Sequence, residues 1–125
     1  MNYLLDTHAL IWALATPDKL SKQAREVIED PAHIILASSA SAWEIAIKLS
    51  LKKIKFPLED LERSAKEANF TELKVSIQHA VAYEKLPLLH RDPFDRLLIA
   101  QAQSDGLVLL TRDSKIAEYG ITVIW

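Results

Sequence analysis

Short apolar runs of three to five residues alternate with helix-forming stretches along this chain, and that alternation constrains its fold more than any other feature. Tyr3-Leu4-Leu5, His33-Ile34-Ile35-Leu36-Ala37, Leu107-Val108-Leu109-Leu110 and Ile121-Thr122-Val123-Ile124 have the length and apolar character of buried strands. Helices are expected between them: Ala9–Leu14, Ser21–Asp30 before Pro31, and Ser38–Lys53 with its serine-rich start. Leu58–Asn69 and Ile77–Leu86 read as two more, with Leu73-Lys74-Val75 as a short strand between them. Pro93–Ser104 is a strongly apolar helix that Gly106 ends. Strands that alternate with helices pair in parallel through right-handed crossovers, and their helices cover both sheet faces. The expected fold class is therefore α/β, a three-layer α/β/α arrangement around a mainly parallel sheet. Its 125 residues fit one domain spanning 1–125.

Composition removes several function classes. The chain has no cysteine, which excludes disulfides, thiolate nucleophiles and thiolate zinc sites. The longest uninterrupted apolar stretch, Ala9–Ala15, is far shorter than the ~20 residues that span a bilayer. No basic region precedes the first apolar residues and Asp6 interrupts them, so no secretory signal is expected and a cytoplasmic location is. A net charge of −2 argues against wholesale wrapping of nucleic acid but allows a local basic strip. Four lysines (Lys48, Lys52, Lys53, Lys55) against one acid lie between Glu44 and Phe56, a pattern that a solvated helix face also explains.

In open α/β sheets, sites collect beyond the carboxyl ends of the strands. Asp6 directly follows the first strand, and Asp113 follows Leu107–Leu110 closely. Glu44 falls in the second turn of the helix after the Ile34 strand, and Asp92 and Asp95 bracket the start of the Pro93 helix. Carboxylates that meet at one end of a sheet repel each other unless a cation neutralises them. Oxygen-only ligands suit Mg²⁺ or Mn²⁺, which activate water and stabilise phosphodiester charge in hydrolysis. Each acid also has a structural reading. Asp6 caps the following helix equally well, and Glu44 pairs with Lys48 at i, i+4. Glu44 nevertheless sits within Ala42-Trp43-Glu44-Ile45-Ala46-Ile47, where a carboxylate needs a strong partner. Asp92 before Pro93 reads foremost as an N-cap, and Asp95 as either a capping-box or a functional acid. Asp113 also fits as the cap of a short helix over Ser114–Glu118.

The order of these segments carries a resemblance. Leu4-Leu5-Asp6-Thr7-His8, Ser41-Ala42-Trp43-Glu44-Ile45-Ala46-Ile47-Lys48, Asp92-Pro93-Phe94-Asp95-Arg96-Leu97-Leu98-Ile99-Ala100 and Leu110-Thr111-Arg112-Asp113 together resemble the PIN-domain ribonucleases, specifically the VapC toxins of type II toxin–antitoxin systems. The resemblance covers essentially the whole chain. It implies a Mg²⁺- or Mn²⁺-dependent endoribonuclease, usually dimeric and inhibited by a cognate antitoxin, with its acidic pocket on Asp6, Glu44, Asp95 and Asp113. Lys52-Lys53 departs from the pattern, standing where many relatives have Gly-Lys.

Lys48, Arg91, Arg96 and Arg112 are candidate phosphate contacts, although Arg91 and Arg96 also fit helix pairs with Asp95 and Asp92. Thr7 and Thr111 are candidates to orient the acids or simply turn residues. Trp12, Trp43 and Phe94, among apolar neighbours, are expected in the core or a dimer contact rather than stacked on bases. The four histidines lack metal-ligand spacing and receive no metal role; His90, beside Arg91, is placed to approach substrate. Three alternatives stand beside the nuclease toxin: a non-catalytic interaction or RNA-binding module of the same fold, a PIN nuclease acting outside any toxin–antitoxin pair, and a phosphate-responsive receiver-like domain. The receiver is weakened because one acid, not an adjacent pair, follows the first strand.

Overall fold

The computed structural model describes residues 1–125. Five strands, β1 (Asn2–Leu5), β2 (Ile34–Ser38), β3 (Phe70–Leu73), β4 (Val108–Leu110) and β5 (Val123–Ile124), form one sheet in the order β3-β2-β1-β4-β5. Every pairing is parallel, with Leu4 opposite Leu36 on one side and Leu109 on the other. The helices are α1 (Thr7–Ala15), α2 (Lys22–Glu29), α3 (Ser39–Ser50), α4 (Leu61–Glu67), α5 (Ile77–Glu84) and α6 (Pro93–Asp105).

Alternation along the strands sorts the core into two layers. Tyr3, Leu5, Ile35, Ala37 and Leu110 face α1, α2 and α4, where Leu10, Ala24 and Leu61 meet them. Leu4, Leu36 and Leu109 face the other way, onto Leu98, Ile99 and Ala102 of α6 and Ala82 and Tyr83 of α5. The chain moves outward from β1 to β3 with α1, α2 and α4 on one face, α3 packing against both α1 and α6, and returns to β4 with α5 and α6 on the other. Right-handed crossovers require that change of face when the direction reverses. The reversal places β4 beside β1, and the crevice beyond their carboxyl ends is the switch point where such sheets bind ligands. This strand order also differs from the 2-1-3-4-5 order of the receiver class, which disposes of that rival.

Most elements lie where the apolar pattern puts them, and three depart. Strand β3 begins at Phe70 rather than Leu73, because the preceding helix stops at Glu67 and Asn69 takes a left-handed φ of 62°. The expected helix over Leu58–Asn69 opens as a 3₁₀ turn, Leu58–Asp60, before α4. Helix α3 ends at Ser50, three residues short of Lys53. There Lys52 adopts φ 57°, with Lys53 N–H donating to Lys48 O at 2.9 Å and Lys52 N–H to Leu49 O at 3.0 Å. These are the two bonds of a Schellman motif, whose left-handed position favours glycine. A lysine there carries a left-handed cost of ~1–2 kcal/mol, offset in part by the greater chain entropy glycine would lose. Lys52→Gly should therefore raise unfolding stability by about 0.5–1 kcal/mol in urea titrations, and a lower midpoint would contradict this reading of the helix end.

Candidate active site

Four chain segments deliver acids to one cleft at the switch point. Its volume is about 470 Å³, and Asp6, Thr7, His8, Trp12, Glu44, Lys48, Asp92, Asp95, Arg112 and Asp113 line it. All four acids singled out from the sequence are present, together with Asp92.

Asp6 begins where β1 stops. Its backbone N–H continues the ladder to Leu110 O at 3.0 Å, which fixes its distance from the end of β4. Its Oδ1 caps α1 by accepting from Ala9 N–H at 2.8 Å, and its Oδ2 accepts from the Thr111 hydroxyl at 2.6 Å. The capping and orienting roles are thus both realised, one on each oxygen. Asp6 is 7 % exposed, and burial pushes its carboxyl above the usual range despite those two bonds. Glu44 is equally enclosed. Thr7 Oγ1 donates to its Oε1 at 2.6 Å, while Lys48 Nζ approaches its Oε2 at 2.8 Å. Two threonines that open turns also orient acids, and two of the strongest polar contacts of the cleft come from them.

Asp92 caps α6, accepting from Phe94 N–H at 2.9 Å with Pro93 at the first helical position. It serves the helix while it lines the cleft. Asp95, one turn on, is half-buried; burial together with the negative charges of Asp92 and Asp6 pushes its carboxyl up to about 7, against a lowering by His90. Asp113 caps the 3₁₀ turn Ser114–Tyr119 through Lys115 N–H at 3.0 Å. His90 Nε2 lies 3.2 Å from Asp113 Oδ2 and 3.4 Å from Asp95 Oδ2. No spacing rule finds His90, because it reaches the acids from the loop before α6 rather than from a strand end.

The basic candidates divide. Lys48 and Arg112 line the cleft, and Arg91 is exposed outside that lining. Arg96 is a correction: it is buried, donating to Pro87 O at 2.8 Å and Tyr119 Oη at 3.2 Å, with its guanidinium 4.9 Å from the Tyr83 ring centroid. Position i+4 from Asp92 turns it inward among tyrosines, so it neither contacts a phosphate in the cleft nor pairs with Asp92. Of the two places expected for Trp43, its 68 % exposure on α3 excludes the core. Trp12 packs against the core layer with α1 and stacks on His8, with ring centroids 5.5 Å apart at the cleft lip.

Comparison with known proteins agrees with this geometry. Residues 3–121 match the PIN domain family. The chain belongs to that family. It is 31 % identical over 120 residues to Ribonuclease VapC22 of Mycobacterium tuberculosis, covering 93 % of this chain and 90 % of the relative. Its fold is similar to that of VapBC2 from Rickettsia felis, solved bound to a promoter DNA fragment (TM-score 0.73, 17 % identity, 99 % and 98 % of the two chains). It is also similar to FitAcB from Neisseria gonorrhoeae (TM-score 0.66, 16 % identity, 98 % and 96 % covered) and to a toxin–antitoxin complex from Klebsiella pneumoniae (0.64, 22 %, 98 % and 96 %).

The acids of this PIN domain offer a hard divalent cation several carboxylate oxygens, partly buried, with raised proton affinity at Asp6 and Asp95, and His90 Nε2 lies beside those of Asp95 and Asp113. A raised carboxyl means that the folded protein binds more protons than the unfolded chain between about pH 4 and 7. Asp95 therefore detracts increasingly from metal-free stability as pH rises through that window. In EDTA, Asp95→Asn should raise the melting temperature over wild type most at pH 8, with the gain shrinking steadily as pH falls towards 4. A pH-independent difference in thermal unfolding would refute this origin.

Proposed function

We propose that this PIN domain is a metal-dependent endoribonuclease that hydrolyses RNA phosphodiester bonds as the toxin of a type II toxin–antitoxin pair. The observation that carries the reading is the meeting of Asp6, Glu44, Asp95 and Asp113 in one cleft, with Lys48 and Arg112 beside them. Kinship with a ribonuclease along 93 % of the chain supports it, as does the likeness of its fold to chains from toxin–antitoxin complexes. A cognate antitoxin, and a second copy forming a homodimer, are the protein partners that go with this role, and the reaction is placed in the cytoplasm.

Asp6 would be the central ligand of Mg²⁺ or Mn²⁺, with Glu44 and Asp95 completing or orienting the coordination and Asp113 bound directly or through water. The bound ion supplies water activation and charge neutralisation at the phosphodiester. Thr111 and Thr7 hold Asp6 and Glu44 in fixed rotamers, so their oxygens need not reorganise when ligand enters. Lys48 and Arg112 offset the negative potential that would otherwise repel a phosphate. Lys48 also neutralises Glu44, so its ammonium is held at the cleft rather than free in solvent.

Cleavage of structured RNA by purified antitoxin-free protein tests this, with EDTA, Mg²⁺ or Mn²⁺ present and Asp6→Asn prepared in parallel. Metal-dependent cleavage that falls about a hundredfold or more in the variant is expected. Equal cleavage by the variant would overturn the site assignment. Thr111→Val, which keeps the shape and removes the hydroxyl, should cost ~10–100-fold in activity or metal affinity. Unchanged activity and affinity would reduce Thr111 to turn chemistry.

A further inference from the structure

His90 has both ring nitrogens engaged beside two acids of the cleft. Its loop is fastened from behind: Tyr119 Oη accepts the N–H groups of Leu89 at 3.1 Å and His90 at 2.8 Å. Arg96 donates to the same hydroxyl and to Pro87 O, and this is the work of its buried guanidinium. The imidazole Nδ1 accepts Asp92 N–H at 3.1 Å. A backbone amide can only donate, so Nδ1 presents its lone pair and the ring proton sits on Nε2. That proton points at Asp113 Oδ2 and Asp95 Oδ2, and the three atoms lie within 4.8 Å of one another.

Two carboxylates brought this close from different elements repel one another, and a donor shared between them opposes their separation. His90 is no metal ligand in this arrangement, because the lone pair that would coordinate is replaced by a proton. We propose that His90 is a positioning residue whose Nε2–H straps Asp95 to Asp113 and holds their oxygens at a spacing that a divalent cation can bridge. The proposal rests on the reading of the cleft as a Mg²⁺ or Mn²⁺ site. His90 acts through the carboxylates, and the tyrosine-anchored loop transmits the packing of Tyr119 and Arg96 to the metal ligands.

Two substitutions separate the strap from the loop anchor. His90→Asn keeps an oxygen near the Nδ1 position to accept Asp92 N–H and removes the Nε2 donor. His90→Gln reaches an N–H to the Nε2 position and loses the Nδ1 acceptor. Mn²⁺ binding is measured by titration calorimetry on the full chain near pH 8, with thermal unfolding in EDTA as the check on folding. His90→Asn should weaken Mn²⁺ binding ~10–100-fold at near wild-type stability, whereas His90→Gln stays within a few-fold of wild type. Equal or tighter binding by His90→Asn overturns the strap, as does equal weakening in both variants. Failure of the wild type itself to bind Mn²⁺ would instead overturn the metal-site reading on which the strap depends.

Discussion

The carboxylate of Asp6, buried at the seam between β1 and β4, is the constraint that the rest of the structure answers. An enclosed carboxylate is costly unless each oxygen is hydrogen-bonded. Here one oxygen is held by the first turn of α1 and the other by Thr111, 105 residues away in the chain. That second bond exists only because β4 pairs directly with β1, which in turn requires α5 and α6 to carry the chain back across the sheet. The fold and the acidic cleft are therefore one arrangement. Satisfying Asp6 leaves its charge in place, and Glu44, Asp95 and Asp113 add to the same negative field.

Polar ties between helices set where those other acids stand. Ser38 caps α3 through Ala40 N–H and donates to Gln101 Oε1 of α6 at 2.6 Å, so the helices bearing Glu44 and Asp95 share a buried bond. Gln101 Nε2 lies 3.4 Å from His79 Nδ1, and His79 Nε2 reaches Asp105 at 3.1 Å, which extends the link to α5. Thr7, 3.0 Å from Ser41 Oγ, joins α1 to α3 on the opposite side. No buried side-chain polar atom lacks a partner, the condition under which such networks specify one packing instead of several. Lys48 and His90 then place donors on the acids that Thr7 and Thr111 leave crowded, which keeps repulsion within the cleft tolerable.

The sequence and the structure agree where a local rule had no competitor. The strands β1, β2 and β4 are continuous apolar runs, as two-faced burial demands, and Pro93 after Asp92 starts α6 as capping chemistry requires. Strand β3 was less legible because it is an edge strand: Thr71 and Glu72 are exposed, so its apolar signal is too thin to outweigh the helical pattern before it. Arg96 departs from its expected place because its surroundings come from elsewhere in the chain. Helical position alone does not say which side of a helix meets the core, and tyrosines from distant segments drew Arg96 inward while Trp43 was left to solvent.

By itself the sequence determined the α/β architecture, the placement of four acids at or near one end of the sheet, and the capping residues that serve beside them. These follow from apolar periodicity and turn chemistry, which act over a few residues and are written in consecutive positions. Tertiary structure alone decided that Asp6 meets Thr111, that Glu44 meets Thr7 and Lys48 at once, and that His90 lies between Asp95 and Asp113. Those contacts, apart from the i, i+4 approach of Lys48 to Glu44, depend on strand order and helix docking. Both arise from the burial of two whole faces of the sheet, a property of the folded chain that no single segment carries.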